Sequence, residues 1–257
     1  MVITNTSTAS LLSNIYSANA DALSSSLTKL ASGKRVQNPG DDFAAYIRAS
    51  GLNTDITNYQ SIRQDLQGAK GLTDYASGVG NAILEDLTRL QELQDLYNAT
   101  SDTDKQTAYS TEYDTIKTRI GDTIADSVYD GTAVYAAASL GAFNVDPTGT
   151  GSIDVNASDV ADVSGFANIA NDDISTELAS AQTFVAEMNS FGTEITRAMN
   201  LNDTVVSGKE ATVSALINVD ELKEMANVTN LQVRQQAAVS MMSQANVSQA
   251  ALAKLFA

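Results

Sequence analysis

Histidine, cysteine and tryptophan are all missing from this chain of 257 residues. Without a thiolate or an imidazole, no zinc site of the Cys or His kind can be built. No imidazole is available as a general base near neutral pH, so Ser-His and Cys-His nucleophile pairs are excluded. Disulfides cannot form, so stability has to come from packing or assembly. Proline occurs only as Pro39 and Pro147, which leaves long stretches free for helices. Lys and Arg vanish between Arg119 and Arg197 while Asp and Glu continue, and the net charge is -16. Such a surface repels phosphate backbones and argues against a nucleic-acid partner. The acidic middle reads as a solvated face. No apolar run approaches the length needed to span a bilayer, so no membrane insertion is expected. The segment Met1-Val2-Ile3-Thr4-Asn5-Thr6-Ser7 lacks the basic and apolar regions of a cleaved secretory leader. If the protein leaves the cell, it does so by a route that does not cut such a leader.

What the chain does contain is concentrated at its two ends. Leu11, Ile15, Ala20, Leu23, Leu27 and Leu30 recur at helical spacing, and so do Val228, Leu231, Ala238, Met242, Ala245, Leu252 and Phe256. Steps of three and four place such residues on one face, in the seam pattern of a coiled coil. Chain ends normally fray. Apolar stripes at both ends imply burial against each other or against other copies of the chain.

Between the ends the pattern is mostly helical. One helix is expected over Leu11 to Leu30, ended by Gly33 as a C-terminal cap. The run Gln37-Asn38-Pro39-Gly40-Asp41-Asp42 predicts a turn, after which Asp41 or Asp42 caps a new helix. A metal-binding or catalytic role for this acid pair lacks further acids at ligand spacing. From Phe43 to Tyr97 the chain reads as helix with interruptions, because Gly51, Gly68, Gly71, Gly78 and Gly80 each weaken a helix by up to about 1 kcal/mol. A polar turn over Asn98 to Asp104 precedes a helix carrying Tyr109, Tyr113, Ile116, Ile120 and Ile124.

The character changes after Asp126. Tyr129-Asp130-Gly131-Thr132 predicts a turn. Ala133-Val134-Tyr135, Ala142-Phe143-Asn144-Val145 and Ser152-Ile153-Asp154-Val155 read as short strands. The last two flank a Gly-rich connector and predict a hairpin, too small to be stable without leaning on helices. A long helix is expected from Asp172, which would cap it. Ile174, Leu178, Ala181, Val185, Met188, Ile195 and Met199 keep a heptad register, with Gly192 in one seam position. The polar stretch Asn200 to Gly208 is expected to bend or loosen that helix. The fold class that follows is mainly α: a long antiparallel helical hairpin or coiled coil of N- and C-terminal arms, with a small β segment at the tip.

Several separated motifs then point to one family. Leu30-Ala31-Ser32-Gly33-Lys34-Arg35-Val36-Gln37-Asn38-Pro39-Gly40-Asp41-Asp42-Phe43-Ala44-Ala45 resembles the N-terminal signature of bacterial flagellins, in which Leu-Ser-Ser-Gly-x-Arg-Ile-Asn leads into Asp-Asp-x-Ala-Gly. Leu90-Gln91-Glu92-Leu93 followed by Asn98-Ala99-Thr100 resembles the family's Arg-Glu-Leu helix and its exit turn. Tyr129-Asp130-Gly131 stands where flagellins usually have Phe-Asn-Gly. Gln232-Val233-Arg234-Gln235-Gln236-Ala237-Ala238 and Ser243-Gln244-Ala245-Asn246 resemble the C-terminal signatures. The match covers both arms, roughly three quarters of the chain by this reading.

The resemblance implies an inner axial domain from residues 1–43 and 218–257, a helical rod from 44–131 and 172–217, and an unusually short surface segment at 132–171. It implies an extracellular subunit that self-assembles into the flagellar filament for motility, and no enzyme. The implied polymerisation interface comprises Leu11, Ile15, Leu23, Leu27, Leu30, Val228, Leu231, Met242, Leu252, Leu255 and Phe256. No catalytic, cofactor or metal residue is expected. The implied partners are identical or similar subunits, the flagellar export apparatus and its chaperone, and the filament cap and hook-junction proteins. O-linked glycans on surface Ser and Thr are a further implication. The alternative is a hook–filament junction protein, which shares the terminal helices. A peptidase inserted at the tip, as some flagellins carry, needs a His-Glu-x-x-His motif and is excluded here. Phe43 and Tyr46 depart from the family, which often has small residues there. Gln91 stands where many flagellins carry an Arg used by the host innate receptor, which implies weak recognition.

Overall fold

The computed structural model describes residues 2–136, 138–157 and 160–255, with side-chain surroundings for 10–136, 138–157 and 160–248. Its helices are α1 (Val2–Ser32), α2 (Phe43–Ala99), α3 (Thr103–Asp126), α4 (Ile174–Ile217) and α5 (Glu221–Leu255). Its strands are β1 (Val128–Tyr129), β2 (Thr132–Ala133), β3 (Ser139–Asn144) and β4 (Ser152–Asn156). The chain forms two compact units, one of Met1–Thr54 with Lys209–Ala257 and one of Asp55–Gly208.

In the first unit α1 stops where the sequence says it should. Gly33 takes φ +68° and its N–H turns back to the Leu30 carbonyl at 3.4 Å; a side chain would resist that left-handed conformation. The two acids that follow divide the work between them. Asp41 accepts from the N–H groups of Asn38 (3.0 Å) and Gln37 (2.9 Å), which close the turn and hold its carboxyl below the usual range. Asp42 accepts from the N–H of Ala45 at 3.0 Å and so caps α2. Asp220 caps α5 in the same way through the N–H of Lys223 at 3.1 Å. Helices α1 and α5 pack side by side and antiparallel. Asn227 Nδ2 donates to Ser26 Oγ at 3.1 Å, and the Val219 N–H to the Gly33 carbonyl at 3.0 Å.

The second unit has one hydrophobic core, built from α2, α3, α4 and the strands. The heptad residues of α4 are the ones it buries: Ile174, Ala181, Met188, Gly192 and Ile195 are inside, with Leu178, Val185 and Met199 half-buried. Against them stand Ile83, Leu87, Leu90 and Leu93 of α2, and Tyr113, Ile116 and Ile120 of α3. The interruptions expected in α2 do not occur. Its five glycines sit in one continuous helix, because apolar burial on this scale exceeds a cost of about 1 kcal/mol each. One of the five has a positive role. A Cβ on Gly80 would lie 2.8 Å from Val185 Cγ2 and 2.9 Å from Phe184 Cδ1, so α2 and α4 approach closely only because that position is bare. The bend expected at Asn200 to Gly208 is absent too. The three-four spacing simply continues to Asn202, which is buried and donates from Nδ2 to the Tyr59 carbonyl at 3.0 Å.

The start of α4 corrects a third expectation. Its cap is Asp173, which accepts from the Thr176 N–H (3.3 Å) and from the Ser175 and Thr176 hydroxyls, both at 2.8 Å. Asp172 instead faces inward, accepting from the N–H groups of Ala167 and Asn168 and from the Tyr113 hydroxyl at 2.9 Å. Burial, then this carboxylate, push the Tyr113 phenol far up. Gln94 holds the Asp172 carbonyl at 2.8 Å and Lys117 the Phe166 carbonyl at 2.9 Å. The coil that enters α4 is thereby anchored on both α2 and α3.

The strands form two small antiparallel pairs. β1 and β2 join through Asp130 (φ +48°) and Gly131 (φ +80°). Positive φ at both turn positions matches the twist of a tight hairpin. Of the strand-like run Ala133-Val134-Tyr135, Ala133 lies in the strand and the Val134 N–H still donates to the Ser127 carbonyl at 2.8 Å; the side chains of Val134 and Tyr135 are buried in the core, where the Tyr135 ring lies 4.5 Å from that of Phe184. β3 and β4 form the expected hairpin, with Phe143 opposite Ile153. Leu140, Ile153 and Val155 bury themselves against the helices. In the connector, Asp146 accepts from the Thr148 hydroxyl and from the N–H groups of Thr148 and Gly151, both at 2.7 Å. These bonds, the Thr148 hydroxyl foremost, lower its carboxyl to about 2. A depressed carboxyl contributes stability that is present above the unfolded value near 4 and is lost as pH falls through about 2. In an NMR titration the Thr148 amide should therefore shift with a midpoint near 2; a midpoint near 4 would show that the loop does not hold the carboxylate.

Candidate assembly surface

The apolar stripes of α1 and α5 resolve into two kinds of position. On the contact side, Ser26 of α1 is buried with Leu12, Tyr16, Leu23 and Leu30 half-buried, facing buried Val228, Leu231 and Ala238 and half-buried Met242 and Ala245 of α5. Away from it, Leu11 is 59% exposed, Ile15 44% and Leu27 47%. On α5, Val233, Val239, Met241 and Val247 are exposed by 48% or more. At 100° per residue, Val233 and Val247 lie opposite the face that Val228, Leu231 and Met242 present to α1, and Met241 lies on its flank. Open grooves run beside these residues, one lined by Ala20, Leu23, Leu27 and Ala31, another by Val239, Met242 and Val247.

The eleven interface residues read from sequence thus fall into three groups. Val228 and Leu231 are buried, and Leu23, Leu30 and Met242 half-buried, between α1 and α5, while Leu11, Ile15 and Leu27 stay exposed. Leu252 and Leu255 lie in α5, but their side chains, and Phe256 altogether, are outside the described residues. The sequence reading missed Val233, Val239, Met241 and Val247. Val233, Ala237 and Met241 form a second stripe at steps of four, visible once a helix is allowed two apolar faces.

Charge is absent where this surface is largest. Residues 1–20 and 235–253 contain no Asp, Glu, Lys or Arg. The polar residues there are Ser, Thr, Asn, Gln and Tyr, which hydrogen-bond without the desolvation cost of an ion. Depletion of charge marks the centre of protein interfaces. A helix apolar on more than one side is ordinarily a buried one. Among the described residues no cluster of acids is placed to hold a metal ion, and no helix is long and apolar enough to cross a membrane.

A pair of helices with exposed apolar side chains and uncharged outer stretches is the kind of surface that self-associating structural proteins present. Comparison with known families gives the particular class. The bacterial flagellin N-terminal helical region matches residues 2–138 and the bacterial flagellin C-terminal helical region matches residues 172–256, so the chain belongs to the bacterial flagellin family. It is similar to flagellin FljM of Caulobacter vibrioides, 23% identical over 269 residues, covering 98% of this chain and 97% of the relative. Flagellin FljN of the same organism is 24% identical over 272 residues with the same coverage. Flagellin FljO is 22% identical over 244 residues, covering 89% of this chain and 88% of the relative. The chain is a structural subunit of a bacterial flagellar filament, and the junction-protein alternative is not favoured.

Proposed function

We propose that the chain polymerises through the outward faces of α1 and α5, each copy covering the exposed apolar side chains of its neighbours in an extracellular helical filament. The observation that carries this reading is the exposed set Leu11, Ile15, Leu27, Val233, Val239, Met241 and Val247 on helices whose outer stretches bear no charge. A fully buried Leu, Ile, Val or Met contributes about 1.5–3 kcal/mol relative to its exposed state. Residues 1–43 and 218–257 form the inner domain in this reading, 44–131 and 172–217 the rod, and 132–171 the outer segment. The role is structural and not enzymatic. Export as an unfolded chain with a chaperone, contact with cap and hook-junction proteins, and O-linked sugars on outer Ser and Thr belong to the same reading. Purified protein added to filament seeds should grow filaments visible by electron microscopy; protein that stays monomeric on seeds overturns the reading in favour of a junction role.

Recognition by the host innate receptor for flagellin is weak in this reading. Gln91 Nε2 rests 3.3 Å from both Gln94 Oε1 and Asp95 Oδ1, and offers no fork for a carboxylate. The nearby Arg89 is engaged, with Nε and Nη2 on Glu112 at 3.0 and 2.7 Å and Nη1 on Glu92 at 3.0 Å. A cell reporter should respond weakly to this protein and more strongly to Gln91→Arg. Full activation by the unmodified protein contradicts the expectation.

A further inference from the structure

Two helix breaks meet within the first unit: the turn from Gly33 to Asp42 between α1 and α2, and the step from Asn218 to Asp220 between α4 and α5. Their backbones are tied together. Lys34 and Asn218 form an antiparallel bridge, the Val219 N–H donates to the Gly33 carbonyl at 3.0 Å, and the N–H groups of Arg35 and Val36 both donate to the Ile217 carbonyl, at 2.6 and 3.3 Å. The end of a helix leaves carbonyls with no partner of its own. Here the end of α4 finds its donors on the opposite arm.

The Arg35 side chain completes the tie. Its Nη2 donates to the Leu216 carbonyl at 2.7 Å, while Nη1 stands 3.5 Å from Asp42 Oδ2. The other oxygen of Asp42 caps α2 through the N–H of Ala45. One guanidinium therefore closes the end of α4 and steadies the residue that opens α2. The charges suit the helix dipoles at both places: a cation at a C-terminus and a carboxylate at an N-terminus. Val36, the next residue, is 2% exposed and fixes the turn from beneath.

We propose that Arg35 is a positioning residue for assembly: it couples the α1–α2 turn to the α4–α5 step, so that the two breaks act as one joint and the α1–α5 pair is presented to neighbouring copies in a single arrangement. The proposal rests on the reading of α1 and α5 as the polymerising helices. A planar fork is what the geometry needs, since two acceptors on different segments are held by different nitrogens of one group. A lysine ammonium at the end of a flexible stem does not reproduce that.

The test uses the full-length protein with Arg35→Gln, Arg35→Lys and Asp42→Asn. Amide hydrogen exchange is followed at Val36 and Val219 of the monomer, with α3 as an internal reference, and the critical concentration for growth on seeds is measured in parallel. Arg35→Gln should speed exchange at both Val36 and Val219 by about fivefold, the scale of one net hydrogen bond lost at a half-exposed site, and leave α3 unchanged. Its critical concentration should rise by a similar factor. Arg35→Lys should recover little, and Asp42→Asn, which keeps a capping oxygen, should have a smaller effect. Faster exchange confined to residues 34–42, with Val219 unmoved, overturns the coupling. Faster exchange throughout, α3 included, assigns Arg35 to general stability and also overturns it. Unchanged growth on seeds in a variant whose joint has loosened removes the role in assembly. Failure of the unmodified protein to grow on seeds is a distinct result, and defeats the filament reading on which the proposal stands.

Discussion

Deleting Leu231 to Ala257 is expected to abolish filament growth and to leave the Asp55–Gly208 unit folded. The deletion removes Leu231, Ala238 and Met242 from the contact with α1, and Val233, Val239, Met241 and Val247 from the outward faces. These four are already about half covered, so burying what remains in an assembly would contribute roughly 3–6 kcal/mol per subunit, half of 1.5–3 kcal/mol each, before entropy is subtracted. Each 1.4 kcal/mol lost corresponds to about a tenfold change in an equilibrium constant. Even a small surviving fraction of that sum places growth out of reach at ordinary concentrations. None of the deleted residues belongs to the core formed by α2, α3, α4 and the strands. A cooperative thermal transition should therefore persist in circular dichroism while electron micrographs on seeds stay empty. Normal filaments from the truncated chain would contradict the proposal.

The second large effect is a reversal of sign between two neighbouring glycines. Gly→Ala in a helix ordinarily stabilises by about 0.5–1 kcal/mol. At Gly78 nothing lies within 4 Å of the added Cβ, so Gly78→Ala should be stabilising by that amount. Two residues on, the same change drives a methyl group against Phe184 and Val185. Phe184 is fully buried against the ring of Tyr135 and has no free space to yield. Overpacking of this kind costs about 1–3 kcal/mol, which exceeds the gain in helix propensity. Gly80→Ala should lower the midpoint in urea while Gly78→Ala raises it. A rise in both would mean that α2 and α4 do not approach as closely as Phe184 requires.

Helices were easier to read from the sequence than their ends and their outer faces. The heptad in α4 located its buried side because apolar burial dominates there, and the Gln-Asn-Pro-Gly-Asp-Asp turn located the α1–α2 break because its residues act through local backbone chemistry. The choice between Asp172 and Asp173 as the cap of α4 was not legible. It depends on the Tyr113 hydroxyl, which reaches Asp172 from α3, and on the N–H groups of Ala167 and Asn168, which close a turn onto it just before α4. Glycines in α2 misled for a similar reason, since tertiary packing overrode a local preference. On the assembly surface, a single seam accounted for Val228, Leu231 and Met242. The outward set on α5 escaped because one heptad register admits only one stripe. Arg35 was visible as part of a motif, but its two partners lie on segments 181 and 7 residues away in sequence.

The uncharged runs at residues 1–20 and 235–253 have a further consequence when set beside the net charge of -16, all of which lies elsewhere in the chain. In the proposed filament, contacts between these uncharged runs are short-ranged and offer no ion pair for dissolved salt to screen. Repulsion between the acidic remainders of two copies reaches only about a Debye length, roughly 10 Å at 0.1 M salt and 30 Å at 0.01 M. If growth proceeds through these helices as proposed, ionic strength acts as a throttle on it: fresh or salty surroundings change how readily copies approach, with no ion pair between the uncharged runs for salt to screen.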